Sequence, residues 1–187
     1  MKNTMKTIGL VTALALVGCG GGGSKDDGYV AHPYDAPPIS ESLKNEYLTA
    51  VNNARAVGRT CGELGFFPAA APLVWDDRLY KAAYEHSEDM ASANHFEHSG
   101  SGTASDWTAQ VQELGRGSTI EERAKNNGYF FTGHVDENIG FGSNSLTVMM
   151  DAWLNSDGHC VGIMWKDTKG LGMAKVGKYW SMELGTK

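Results

Sequence analysis

Apolar positions recur at two periods along this chain, a helical one first and a strand-like one last. Leu43, Tyr47, Val51 and Ala54 stand at i, i+4, i+8 and i+11, behind Ser40 or Ser42 as N-cap, and predict an amphipathic helix over residues 42–59 with Gly62 just past its end. Pro72 and the following Trp75-Asp76-Asp77 open a second helix. Its stripe of Leu79, Ala83, His86 and Met90 runs to about Asn94. Ser118 with Glu121 three residues on reads as a capping box for a helix that stops at Gly128. Ser145 opens another, with Leu146, Met149 and Trp153 turned inward. Residues 171–176 and 179–184 are short apolar runs joined by Gly177-Lys178, a hairpin pattern. Helices before and strands after indicate an α+β fold.

Residues 103–117 add an insertion in which Trp107, Val111 and Leu114 follow i, i+4, i+7 behind Ser105. It reads as an extra surface helix burying one Trp, or as a lid. Met149, Met150, Met164, Met173 and Met182 read as core filling, since no copper-type spacing joins them.

The amino-terminal stretch has a different character. Lys2 and Lys6 precede an apolar run at residues 8–17, too short at about 1.5 Å per residue to cross a hydrocarbon layer of roughly 30 Å. Residues 1–18 therefore read as a secretory signal peptide. The run closes in Leu16-Val17-Gly18-Cys19, which is similar to the bacterial lipobox, so Cys19 is expected to carry lipid and become the new N-terminus. Residues 19–38 are then the lipidated Cys and a flexible tether holding His32, and residues 39–187 the folded domain. Gly20 after Cys19 favours the outer over the inner membrane if the cell is Gram-negative.

The 187 residues suit one domain. With 16 basic and 22 acidic residues the net charge is −6, which excludes nucleic acid as a partner. Removing residues 1–18 takes away two lysines and no acid, so −6 becomes −8, and acyl chains rather than headgroup charge must hold the protein at a membrane. With Cys19 committed to lipid, Cys61 and Cys160 remain, and an oxidising compartment favours their pairing. The closed loop would stabilise the fold by about 4–5 kcal/mol on chain entropy.

His86, on an apolar stripe, reads as a core histidine. His95 and His98 in HFEHSG and His159 in NSDGHC sit where side chains can aim into a cleft. Glu137 begins the apolar segment ENIGFG, and burying its carboxylate requires a donor or a cation. Phe130, Phe131 and Phe141 flank it as groove or core.

The series PLVWDDRLYKAAYEHSEDMA, HFEHSG, GYFFTGHVDENIGFG, AWLNSDGHC and KGLGMAKVGKYWSMELG resembles the CAP superfamily, also called SCP, of cysteine-rich secretory, antigen 5 and pathogenesis-related 1 proteins, from about Ser42 to Gly185. The resemblance implies a three-layer α-β-α sandwich with a mainly antiparallel central sheet. It also implies a cleft of two histidines and two glutamates that in some members binds zinc or another divalent metal. Residue by residue, His98, Glu137 and His159 match, while Ser156 stands where the family has its second glutamate; Asn155 and Glu97 are further cleft candidates. Two imidazoles and one carboxylate with an open position suit a hydrolytic zinc site, although the missing carboxylate removes a base that Glu97 or Asp157 would have to replace. No nucleophile elbow accompanies Ser99 or Ser156. Two functions follow from different classes: a membrane-anchored, non-catalytic module whose His/Glu/His cleft binds a divalent metal, a lipid-like ligand or an envelope partner, and a metal-dependent hydrolase of envelope peptide or glycan. In a third reading the triad is only a polar network that orders the cleft.

Overall fold

The structure is a computed structural model that describes residues 28–186. The expected signal peptide, Cys19 and the first part of the tether lie outside the described residues. In chain order the elements are α1 (Glu41–Arg55), β1 (Arg59–Thr60), β2 (Phe66–Phe67), β3 (Val74–Trp75), α2 (Asp77–Ala93), α3 (Trp107–Val111), α4 (Ile120–Asn126), β4 (Val135–Phe141), α5 (Leu146–Leu154), α6 (Asp157–Met164), β5 (Gly170–Val176) and β6 (Tyr179–Gly185). The main sheet has the order β3-β5-β6-β4, with antiparallel β5–β6 and β4–β6 pairs and a short parallel β3–β5 pair. The α+β, α-β-α sandwich is therefore present, and β4 forms one border of its sheet.

Side-chain alternation gives the sheet two different faces. Leu171, Met173, Trp180, Met182 and Leu184 join Val51, Met150, Trp153, Cys160 and Ile163 in the main core beneath α1, α5 and α6. The opposite face meets α2 through small residues. A Cβ at Gly172 would stand 2.1 Å from Leu79 and Tyr80 backbone atoms, so only glycine lets α2 lie this close to β5. On that same face β6 carries Ser181 and Glu183, both fully buried.

Two long-range devices fix the α1–α6 side. Cys61 and Cys160 form the expected disulfide, tying the segment after α1 to α6. Arg55, fully buried, gives its guanidinium to the carbonyls of Ala71, Ile163 and Trp165, and so satisfies the C-terminus of α6.

Several element boundaries are corrected. The first helix ends at Arg55 rather than residue 59, because Arg59-Thr60 pairs with Phe66-Phe67. The second begins after Asp76, whose side chain accepts from the Arg78 N–H, since Val74-Trp75 is drawn into the sheet beside β5. The capping box is Thr119 with Glu122, one residue later than expected, because the Ser118 hydroxyl is spent on Asp106. Asp106, not Ser105, caps α3; Ser105 donates to Asp89 instead, and Leu114 falls beyond the helix end. Trp107 is 38% exposed, so the insertion anchors itself through buried Thr108 and Ala109 rather than through its indole.

Residues 29–38 correct the expectation of a free tether up to Pro38. Asn126 exchanges two hydrogen bonds with the His32 backbone, Asn127 Oδ1 accepts from Tyr34 N, Trp107 Nε1 donates to His32 O, and Tyr80 Oη donates to Pro37 O. The Tyr34 hydroxyl also donates to Glu88 at 2.7 Å. Extended backbone that finds side-chain amides at this spacing docks as a strap across α2, α3 and α4.

Candidate functional site

The cleft is built around the free border of the sheet. Glu137, in the middle of β4, points to the α2/α4 side, as its cross-strand partner Glu183 does; its neighbours Asp136 and Asn138 point to the α6 side. His98 comes from the loop after α2 and His159 from the first turn of α6, so the two imidazoles belong to opposite helical layers and approach each other around β4. Their ring centroids are 6.3 Å apart. Between them lies an open cavity of about 390 Å³ lined by His98, Ile120, Asp136, Glu137, Asn138, Ser156, Gly158 and His159.

The buried side of the cleft is a charge cluster. Glu137 Oε1 lies 2.9 Å from His98 Nδ1, while Oε2 accepts from Arg123 Nη2 at 2.8 Å and from the Ser181 hydroxyl at 3.3 Å. His86 Nε2 is 3.7 Å from the same carboxylate and 3.0 Å from the Glu97 carbonyl, the core position expected for it, while its buried Nδ1 has no partner among the described residues. Burial pushes His86 down to about 4, reinforced by the Arg123 charge, so it is neutral at pH 7. Burial alone would raise Glu137, but the Arg123 charge and the His98 hydrogen bond outweigh it and hold the carboxyl ionised. With His86 neutral, the standing counter-charge is Arg123. Glu183 is raised well above the usual carboxylate range, first by burial and then by the negative Glu137 opposite, so it keeps its proton; both its buried oxygens lack a hydrogen-bond partner among the described residues.

The Glu137 hydrogen bond raises His98, whereas burial and the nearby His98 lower His159. The arrangement resembles the carboxylate–histidine pairs that orient a metal ligand: Nδ1 is engaged from below and Nε2 is left for the cleft. Zinc fits this donor chemistry through the two imidazoles. Glu137 does not fit as a ligand in the same way, since both its oxygens are already committed to protein donors. Among the described residues no three His, Cys, Asp or Glu side chains form a ready-made metal cage.

Of the expected site residues, His98, Glu137, His159 and Ser156 converge. Asn155 does not: its side-chain amide turns back to the Asp151 carbonyl, as befits the C-cap of α5. Glu97 is exposed and gives the site only its carbonyl, held by His86. Asp157 accepts from Glu63 N and is unsuited to replace a base. His95 and the three phenylalanines are absent from the lining, and Phe130 and Phe141 are exposed. Sequence reasoning missed Arg123, Glu183, Asp136 and Asn138. A carboxylate required to be buried at Glu137 did signal a missing cation.

The chain matches the family model of the cysteine-rich secretory protein family, CAP, over residues 48–181. Among solved structures it is similar to an extracellular protein containing a SCP domain from Bacillus anthracis, at 18% identity and a TM-score of 0.57 over 81% of this chain and 45% of that one. It is also similar to an outer surface protein from Borrelia burgdorferi, at 18% identity and a TM-score of 0.58 over 84% of this chain and 99% of that one. The membrane protein YlbC of Bacillus subtilis is 28% identical over 59% of this chain, which spans only 28% of that curated relative's length. With five motifs in register, the disulfide and the layered fold in place, the chain belongs to the CAP, or cysteine-rich secretory protein, family.

Proposed function

We propose that the protein is an exported binding module, held to the cell envelope by lipid on Cys19, whose cleft at the border of β4 takes a divalent cation such as zinc together with a polar envelope ligand. The observation that carries this reading is the 2.9 Å pair between Glu137 Oε1 and His98 Nδ1, which fixes the ring with Nε2 available beside His159. His98 and His159 would hold the cation, and donors of the ligand or solvent would complete its shell, polarising whatever oxygen is bound there. Six polar side chains line the cavity beside Ile120 and one glycine, so an occupant meets hydrogen-bonding groups as well as apolar surface. Outer-membrane residence, if the cell is Gram-negative, follows from Gly20.

A non-catalytic role is favoured over hydrolysis because the Glu137 carboxylate is already shared among Arg123, His98 and Ser181, so a hydrolase would have to draw its base from Asp136, the other carboxylate of the lining. Zinc calorimetry with His98→Ala and His159→Ala variants, followed by hydrolysis assays on envelope peptides and glycans, tests both parts. Binding lost in each variant and no turnover are expected. Turnover abolished by both substitutions would replace the module with a hydrolase.

A further inference from the structure

We infer that Val30, Trp107 and Phe130 form a second contact with the lipid bilayer, on the face where the chain leaves the domain toward Cys19. The inference rests on the anchoring proposed above and adds to it the orientation of the domain.

Val30 is 63% exposed, Phe130 43% and Trp107 38%. The docked strap gathers them. The Tyr29 ring meets Phe130 edge-on at 6.4 Å, Gln112 Nε2 holds the Val30 carbonyl at 2.9 Å, and Trp107 Nε1 holds the His32 carbonyl at 2.8 Å. Three large apolar side chains thus flank four consecutive residues at the beginning of the described chain.

Nine peptide steps separate Cys19 from Gly28, a reach of at most about 32 Å. A domain of this size is about 40 Å across, so a lipid on Cys19 keeps the exit face nearest the bilayer. A tether of that length gives a local concentration in the millimolar range, at which a weak contact is occupied. The mature charge of −8 provides no attraction to anionic headgroups, so the contact must be apolar, and an indole beside a phenyl ring suits the interfacial zone.

The test uses the mature, acylated protein reconstituted into phosphatidylcholine vesicles with and without brominated chains. Flotation and the mass of the N-terminal peptide are read first, then tryptophan fluorescence. The expected result is flotation with bromolipid quenching that is lost in Trp107→Phe, and that falls at least twofold in Val30→Asp/Phe130→Asp while flotation is unchanged. Flotation without quenching overturns the inference, as does quenching that survives Trp107→Phe and vanishes in Trp165→Phe, whose indole is equally exposed. A protein that neither floats nor carries acyl mass on Cys19 overturns the anchoring itself, and the inference with it.

Discussion

Glu137 on β4 and Glu183 on β6 stand directly opposite one another, both buried, the first ionised and the second protonated. Arg123 neutralises that charge. The consequences for the two carboxyls are opposite. Glu183→Gln keeps a neutral donor beside Glu137 and is expected to change unfolding free energy at pH 7 by less than about 1 kcal/mol. Glu137→Gln leaves Arg123 buried and uncompensated, a loss of about 3–5 kcal/mol. Urea titrations at pH 7 compare the two, and equal losses would contradict a neutral Glu183 beside a charged Glu137.

Glu85, on α2, accepts from Thr108 N and from Asn127 Nδ2, and burial pushes its carboxyl up to about 7. A raised carboxyl pKa means that the native state binds the proton more tightly than the unfolded one. Its contribution is therefore fully present below pH 4.5 and is lost as pH rises through about 7, on the order of 3 kcal/mol across the window. Stability of the wild type measured from pH 4.5 to 8 should carry this decline, and Glu85→Gln should flatten it whatever its effect on the absolute level. An unchanged slope would show that Glu85 titrates normally.

The Cys61–Cys160 bridge leaves no titratable thiol among the described residues. Ellman titration of unreduced mature protein should therefore find none. Cys160→Ala with Cys61→Ala should cost about 4 kcal/mol, read as a lower urea midpoint. One or two free thiols would contradict the pairing.

Residues 103–116 can be excised without stretching the chain, because a Cβ at Gly102 would stand 3.1 Å from the Gly117 nitrogen. No residue of that segment lines the cleft. Thr108 N and Trp107 Nε1, by contrast, support Glu85 and the strap. The deletion should lower the melting temperature, open residues 29–38 to protease, and leave zinc affinity unchanged. A changed affinity would reinstate the lid reading of this insertion.

Zinc binding should weaken as pH falls below about 6, since ligation requires neutral imidazoles and His98 holds its proton more firmly than a free histidine. Calorimetry at pH 7.5, 6 and 5 reads the change. An affinity constant down to pH 5 would count against histidine ligation.

Legibility in the sequence follows how local the determining interaction is. The α1 stripe and the β5–β6 hairpin were readable because Tyr47, Val51 and Ala54, or Met173 and Met182, repeat at the period of their own element. β4 was hidden: three consecutive polar residues, Asp136, Glu137 and Asn138, face two different layers, the outer two toward α6 and Glu137 toward α4, so no apolar period marks the strand. α6 was hidden because Asp157, His159 and two glycines break any apolar stripe along its eight residues. His98, Glu137 and His159 were legible singly as chemistry-bearing residues but as one site only through family resemblance; Glu137 signalled a buried cation without naming Arg123, and Glu183 gave no signal, because these roles depend on helix docking and strand register.

His98 and His159 hang from separate slabs of the sandwich and meet only past its rim, so their separation works as a calliper across the whole molecule. A slip of one slab against the other by even an ångström would open or shut the jaws, and an occupant gripping both rings would in turn stiffen the stack against shear. The disulfide at Cys160, next in sequence to His159, clamps one jaw, and Arg123, which donates to both the His98 carbonyl and Glu137, clamps the other.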